Sequence, residues 1–587
     1  MTILARENAT ATCLHQGEQY IELLALLAFV ILCCLPALYI LALITQAGKL
    51  PDNDYWDYLN TILRNGAFSL RFRDWFAHNT EHIVIIPKIF YALNIKLTGG
   101  DNRALGLLGF SFATLEAIIL LTFVRKYLTF TEKHWATLAI SLLIFTPAAA
   151  HNWMLGMSGV AWIGANALAL IAFYLLANRQ VHLSCLVAMI GMLTYSTALG
   201  IWPALIVGAL LAKHPLDSIK KILAYAFIAS LMFLFFYHKP EGHPDLQRDP
   251  FTILIYLLTL TGGLFTSHDA GLAQKLAGAG LITLVFALWR LIKTPASRQA
   301  SAIWLMIICY ALANMGIIAF ARAGFGIEQA LSSRYMTLPA LFWLGWFGII
   351  LLLSRTLPLF RHWRFPVFFL LLAGFAYASI PAYGEITGYF LARSQKKTLA
   401  MVSIYTGGYD FDLLSQTVTP TLKTEAGRAI AANLIPQLKK IRHIPFDGTF
   451  QHCPQPGEKL NITEQSPPGQ KGGFTAGHFD RIELLDPLIY KVEGWARPIP
   501  STPLRCIVIT NQDKIVRGLA LSGFPRPDVN QYLDKPGDFG WLGYARIAPQ
   551  DKQLFAYVLT GKPLQWYPLS DTHSVFPSAT TLNPLKK

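Results

Sequence analysis

The sequence predicts a polytopic α-helical membrane protein, with about eleven transmembrane helices, followed by a soluble α+β or β-sandwich domain. Three observations predict it. Of 587 residues, 53% are hydrophobic and only 14% charged, with a mean hydropathy of +0.41, whereas soluble domains carry about 25% charge. Apolar runs near the ~20 residues needed to cross a ~30 Å hydrocarbon core recur as far as residue 383, without the alternation of barrel strands. From residue 384 the composition becomes that of a soluble domain.

The first run, IELLALLAFVILCCLPALYILALI, follows about twenty polar residues and ends without a small-residue cleavage pattern, so it reads as a retained anchor. A polar loop, 46–103, comes next. Apolar helices are expected at 104–124, 135–150, 158–177, 181–199, 201–212, 221–237, 276–292, 301–320, 335–354 and 365–383. The segment FTILIYLLTLTGGLF, 251–265, is short, follows Pro250 and contains Gly262 and Gly263, so it reads as interfacial or re-entrant. With that segment not crossing, Arg125, Lys126, Lys133, Arg179, Lys213, Lys220, Lys221, Arg290, Lys293, Arg298, Arg355, Arg361 and Arg364 fall on one side. Loops rich in Lys and Arg mark the cytoplasmic side, so the N-terminus is expected inside, and the loops 46–103, 238–275 and 321–334 and the whole tail outside.

Residues 1–383 thus form the expected membrane domain, 384–447 a helical connecting segment with an apolar phase in AGRAIAANLIPQLKKI, and 448–587 an exported sandwich-like domain. Within the last, 448–476 is rich in Pro, Gly and polar residues. RIELLDPLIYKVEGWARPI, LRCIVITNQDKIVRGLALS, WLGYARIA and QLFAYVLTG then alternate as antiparallel strands do. Trp495, Trp541 and Tyr544 are candidates to stack on glycan, with the sandwich core the favoured place for Trp495, and Arg526 and Asp528 suit a turn or ion pair.

The formal net charge is +15, but the cations are scattered over loops, with no basic stripe and no nucleic-acid module, which excludes nucleic acid as a partner and favours membrane lipid and anionic lipid-linked substrates. Of the seven cysteines, Cys33, Cys34, Cys185 and Cys309 lie in apolar runs; Cys453 and Cys506 lie in the tail, where an oxidising compartment would let them pair. No zinc-type spacing occurs, and no metal ligands are assigned.

Chemistry concentrates in the 46–103 loop. Asp52 and Asp54, in DNDYWDYL, place two carboxylates just after the first span, where one can act as general base toward a sugar hydroxyl. The alternatives are a divalent cation site, or an N-cap for the following helix, for which Asp54 is well placed. In HNTEHIVIIPK, Glu81, His82 and Lys88 bring an acid, an imidazole and a cation to the interface, and Trp56 and Trp75 offer rings for stacking or anchoring. In ARAGFGIEQALSSRYMTLP, Arg322 and Arg334 stand on the outward side near lipid, where a guanidinium needs an anion: phosphate, Glu328 or a loop carboxylate. His151, in HNWMLGMSG, and His268 and Asp269, in SHDAG, are weaker additions, and Glu116 reads as a buried structural carboxylate.

An acidic pair after the first helix, a Glu-His in the same loop, many helices and an exported C-terminal domain resemble the GT-C class of integral-membrane glycosyltransferases. DNDYWDYL, NTEHIVIIPK and SSRY, with VEGWARP, GFPRPDV and DFGWLGY in the tail, resemble a poorly characterised bacterial group of that kind with an appended sandwich domain. The resemblance implies a polyprenyl-phosphate-linked sugar donor, a glycan or lipid-linked acceptor, inversion, and Asp52 or Asp54 as base, at the outer face of a bacterial cytoplasmic membrane. Absence of a nucleotide-sugar DxD in a Rossmann setting and of a GxGxxG loop disfavours a nucleotide-sugar enzyme. The rivals are a transporter or flippase of lipid-linked sugars and a non-catalytic assembly scaffold; no paired Gly/Pro-interrupted segments mark inverted repeats.

Overall fold

A computed structural model describes residues 2–76, 82–239, 242–291, 293, 295–357, 360–462, 476–497, 504–560 and 565–576. The chain divides into two compact units, Met1–Ala47, Trp75–Phe90 and Arg103–Leu391 in one, and Gly48–Asp74, Tyr91–Asn102 and Ala392–Lys587 in the other. The division therefore departs from the boundary drawn at residue 383, because most of the first loop belongs with the tail.

Among the described residues, eight helices are long and apolar enough to span a membrane, from Leu23–Gln46 through Asn102–Tyr127, Gly156–Ala177, Leu216–Phe236, Ala270–Leu291, Ser297–Phe325 and Thr337–Ser354 to an apolar stretch within Trp363–Thr406. Thr337–Ser354 is apolar all round and buried along its whole length, which makes it the centre of the first unit. Leu23, Leu24, Leu26 and Leu27 on the first helix are instead more than half exposed, as suits side chains that face lipid. Small residues let helices approach closely: a Cβ on Gly345 would stand 2.6 Å from Ile308 Cγ1 of the helix Pro295–Arg322.

The expected count of about eleven crossings is not reproduced. Val181–Met192 has 12 residues and Ile201–Leu211 has 11, with a 3-10 turn, Ser196–Gly200, between them. At ~1.5 Å per residue each covers less than 20 Å, short of the hydrocarbon thickness. An apolar run continues through a turn when both sides are buried, so hydropathy reads it as longer helices. Pro250–Gly262, with 13 residues, is short as expected, and Asp249 caps it by accepting from the N–H groups of Phe251 and Thr252.

The second unit combines the helix Asp54–Ile62, a hairpin of β1 (Leu63–Arg64) and β2 (Ala67–Phe68), the helices Ala392–Thr406, Phe411–Thr417 and Glu425–Lys440, and a large sheet. Its strands are β3 (Gly477–Asp486), β4 (Ile489–Ala496), β5 (Leu504–Asn511), β6 (Val516–Phe524), β7 (Gly540–Arg546), β8 (Gln553–Thr560), β9 (Gln565–Pro568) and β10 (His573–Ser574). They pair antiparallel in the order β10-β8-β5-β6-β7-β4-β3, with β9 also on β8. The expected sandwich is thus corrected to one continuous sheet, curled as a half-barrel around Phe479, Val492, Ile507, Ile509, Val558 and Tyr567. Alternation announces strands; the long-range pairing of β4 with β7, which closes one sheet rather than two, leaves no mark in it. Cys453 and Cys506 form a disulfide with a Cα separation of 5.9 Å, which leaves no thiolate beside His452 to bind metal.

Candidate functional site

In the first unit, a cleft of about 840 Å³, open solvent included, gathers cations and rings at the ends of several helices. One wall is the 3-10 turn Ser196–Gly200. This turn sits tightly on the helix Pro295–Arg322: the Gly200 N–H donates to Asn314 Oδ1 at 3.3 Å, and a Cβ on Gly200 would meet Asn314 Nδ2 at 2.5 Å. Asn314 in turn donates to the Tyr310 carbonyl at 3.0 Å, which fixes its amide.

The segment leading into the helix Ile85–Thr98 is tied to the same wall by the Ile86 N–H, which donates to the Leu193 carbonyl at 3.0 Å. That bond sets His82 in the cleft, with Nδ1 2.9 Å from Ser196 Oγ and its ring 4.0 Å from that of Tyr195. Trp162 packs on both Tyr195 and Tyr335, at 4.8 and 5.7 Å between centroids, so the cleft has a continuous aromatic side. Burial, then His243 and Arg334, push the His82 imidazole down to about 3, so it is neutral at pH 7.

The cationic side holds Lys239, Arg322 and Arg334. Arg322 closes the helix Pro295–Arg322, and its Nη1 donates to the His243 ring at 2.9 Å, with Phe325 5.7 Å from the guanidinium. Arg334 is exposed; its Nε donates to Ser332 Oγ at 3.3 Å and its guanidinium lies 5.6 Å from the Tyr335 ring. The backbone there is held by Asn152, which is fully buried and whose Nδ2 donates to the Arg334 carbonyl at 2.9 Å. Lys239 pairs with Asp245 at 2.6 Å. No carboxylate is among the described residues that line the cleft.

Three sequence candidates, His82, Arg322 and Arg334, therefore meet in one place, and the others do not line it. Lys88 is fully buried and donates to the Trp75 carbonyl at 3.1 Å. His151 bonds Ser158 Oγ through Nδ1 at 3.1 Å, and Ser158 donates to Asn152 Oδ1, so His151 belongs to the network that holds the Arg334 backbone. Asp269 caps its helix by accepting from the Leu272 N–H. Glu81 and His78 lie outside the described residues. Lys239, His243, Trp162, Tyr195 and Tyr335 were not singled out in the sequence; Lys239 and His243 stand in the loop HKPEGHPDLQRDP, where repeated cations were the available signal.

In the second unit, Asp52 and Asp54 part company. Asp52 is 1% exposed, with its carboxylate 3.1 Å from Lys397 Nζ and 3.3 Å from Arg393 Nη1. Burial pushes this carboxyl up, and Lys397 and Arg393 oppose that rise. A carboxylate enclosed between two cations can neither reach an acceptor hydroxyl nor welcome a divalent ion, so Asp52 suits neither the base nor the metal role. Asn53, at a left-handed φ of 56°, is the N-cap residue of the next helix, and its side chain makes no cap bond. Asp54 is the first helical residue rather than the cap and is exposed.

Trp56 is 6% exposed and donates to the Pro51 carbonyl at 2.9 Å, so it is a packing residue; with Asp57 it borders an apolar pocket of about 710 Å³ lined by Tyr409, Phe411, Leu434 and Arg428. Burial and then Asp54 push the Asp57 carboxyl up to about 6. In the sheet, Trp541 and Tyr544 are buried and Trp495 packs on Val529 and Phe539, so none is an open glycan platform. Arg526 forms the anticipated ion pairs, with Asp528 and Asp480.

Comparison with protein families, with curated proteins and with solved structures finds nothing that matches this chain.

Proposed function

We propose that this multi-pass membrane protein is a glycosyltransferase of the GT-C kind, which moves a sugar from a polyprenyl-phosphate carrier to a glycan or lipid-linked acceptor. The observation that carries the reading is the cleft itself, in which Arg334, Arg322 and Lys239 share one space with His82 and an aromatic side made by Trp162, Tyr195 and Tyr335. Guanidinium groups suit phosphate oxygens, and aromatic faces suit a sugar ring or the start of an isoprenoid chain. The neutral His82 adds a hydrogen-bonding group without adding charge.

In the reaction the acceptor oxygen attacks the anomeric carbon as the bond to the phosphate oxygen breaks. The polyprenyl phosphate leaves with the electron pair, and the hydroxyl proton passes to a carboxylate. Arg334 and Arg322 stabilise the charge growing on the departing phosphate. Asp54 is the better base of the acidic pair, because Asp52 is enclosed by Arg393 and Lys397. The disulfide supports a place for the second unit outside a bacterial cytoplasm.

The test is transfer of radiolabelled sugar from membrane polyprenyl phosphates into glycan, with Arg334→Ala and Asp54→Asn compared with wild type at equal protein levels. Arg334→Ala is expected to weaken donor use on the order of tenfold or more, the loss of one charge-assisted phosphate contact. Asp54→Asn is expected to lower turnover by a factor of about 10²–10⁴. Wild-type labelling by both variants would refute the reading, and movement of labelled carrier between leaflets without transfer would make the protein a transporter.

A further inference from the structure

A second polar pocket, of about 450 Å³ with open solvent included, lies in the first unit and shares two helices, Gly156–Ala177 and Pro295–Arg322, with the cleft. The order of residues along those helices places the two at opposite ends of the bundle. On Gly156–Ala177, Trp162 near the start faces the cleft, and Leu176 and Ala177 at the end line the pocket. The Ser196–Gly200 turn before Ile201–Leu211 lines the cleft, and Gly208, Ala212 and His214 at its far end line the pocket. On Pro295–Arg322 the sense reverses: Gln299, Ile303 and Met306 line the pocket, and Asn314, Ile318 and Arg322 line the cleft.

The polar groups of the pocket are Arg179, His214, Gln299 and Tyr127, beside the apolar Ile303 and Met306. His214 is 8% exposed, and its Nδ1 has no hydrogen-bond partner among the described residues. A buried ring nitrogen without a partner costs free energy, so something else is expected to meet it. Burial, then the Arg179 charge, lower the proton affinity of the ring.

Three helices end at this pocket, and their last carbonyls contribute partial negative charge. Full charges outweigh it, because Arg125, Lys126, Arg179, Lys213 and Arg298 all stand within about a turn of these ends. Glu132, the carboxylate nearest in the hydrogen-bond network, is already paired with Arg355, which also donates to the Tyr127 carbonyl at 3.0 Å. No Asp or Glu is among the described lining residues.

We propose that this pocket binds the phosphate of an anionic phospholipid head group on the face of the membrane opposite the cleft. Arg179 supplies the countercharge, and His214 Nδ1 and the Gln299 amide supply hydrogen bonds. A lipid is favoured over a soluble anion because the pocket lies at the ends of apolar helices long enough to span a membrane, with Ile303, Met306, Leu176 and Ala177 beside its polar groups. The proposal stands independently of the transfer reaction.

The experiment uses the full chain, purified in detergent, stripped of lipid and carrying Arg322→Ala and Arg334→Ala so that the cleft no longer competes. Short-chain phosphatidylglycerol, short-chain phosphatidylcholine and inorganic phosphate are titrated, and the thermal unfolding midpoint is read. Phosphatidylglycerol is expected to raise the midpoint saturably, with phosphatidylcholine inert at the same concentration. Arg179→Gln and His214→Gln are each expected to weaken the apparent affinity on the order of tenfold. Arg179 is exposed, so Arg179→Glu, which keeps the fold, serves as the decisive variant and is expected to abolish the shift. An equal shift with inorganic phosphate would overturn the lipid assignment in favour of a soluble anion. Retention of the full shift in Arg179→Glu, or no shift with any probe, would overturn the site.

Discussion

Replacing Asp52 by Asn should damage folding of the second unit before it damages chemistry. The carboxylate lies 3.1 Å from Lys397 Nζ and 3.3 Å from Arg393 Nη1, with side-chain exposures of 0%, 5% and 11% for the three groups. At an effective dielectric of about 20, each contact contributes roughly 5 kcal/mol of Coulomb attraction. Desolvation of the three ions cancels most of that sum. Removing the anion leaves Lys397 buried without this counterion and takes one of the charges that Arg393 faces, so the expected net loss is about 3–5 kcal/mol. Lys397 has no room to swing away, because its stem packs against Gly48, where a Cβ would stand 2.5 Å from Lys397 Cδ. Denaturant unfolding of the detergent-solubilised chain, followed by tryptophan fluorescence and by protease resistance of the second unit, measures the loss. Adding Lys397→Met to Asp52→Asn should recover part of it, since the buried charge that lost its partner is then removed too. If Asp52→Asn unfolds within about 1 kcal/mol of wild type yet has lost sugar transfer, the enclosed ion triad is not structural and Asp52 works in the reaction.

Two buried groups of the second unit should give pH slopes of opposite sign. Asp57, pushed up to about 6, binds its proton more tightly in the folded state, so its contribution is fullest below about pH 4 and is lost as pH rises through 6. Asp57→Asn should therefore stabilise the protein at pH 8 by about 1–2 kcal/mol, allowing for its partial exposure, and by nothing at pH 4; an unchanged pH 8 midpoint would contradict this. His443, fully buried between Tyr55 Oη at 3.0 Å and the Ile444 carbonyl at 2.6 Å, is pushed down to about 4, mainly by burial. Its contribution is complete above pH 6.5 and is lost as pH falls toward 4, so His443→Gln should flatten the acid limb of the stability profile even though it lowers the plateau. Replacing Cys453 and Cys506 by Ser, or reducing them, should cost about 2–5 kcal/mol in denaturant unfolding of the second unit; a smaller change would mean that the bond closes a loop already held by its own contacts.

The parts of this protein that sequence reveals are those written in short-range pattern. Helix positions, the soluble tail and its strands follow from hydropathy and alternation over windows of about ten to twenty residues. His82, Arg322 and Arg334 were recognisable for a related reason: each is a cationic or titratable group beside an apolar helix, where water is scarce and a partner is needed. What pattern conceals is pairing across the chain. Arg393 and Lys397 sit on the helix Ala392–Thr406, far in sequence from Asp52, and nothing in DNDYWDYL distinguishes the acid they enclose from the one left exposed. The single sheet was likewise hidden, since its order rests on the pairing of β4 with β7 and of β5 with β8. His243 was hidden because its meaning comes from Arg322, which it meets only when the loop folds back on the helix end.

The placement of Arg334 carries the functional argument further than the count of cations does. In a chain that is 14% charged, Arg334 stands exposed on the cleft just before the fully buried helix Thr337–Ser354. Its described contacts are a serine hydroxyl and a tyrosine face, neither of which neutralises charge. Structural ion pairing, by contrast, is visible elsewhere in the same unit, where the buried Glu132 is matched by the exposed Arg355. Had Arg334 served only to fasten its turn, a carboxylate in that role would be expected, as at Arg355. The buried Asn152 instead spends its amide on holding the Arg334 backbone, which fixes where the guanidinium starts and leaves its charge directed to the cleft side. A phosphate about 4 Å away, at an effective dielectric near 20, would feel roughly 4 kcal/mol per unit charge of Coulomb attraction from this residue; screening and ordering offset most of that at an exposed site, so the head group needs Arg322 beside it as well.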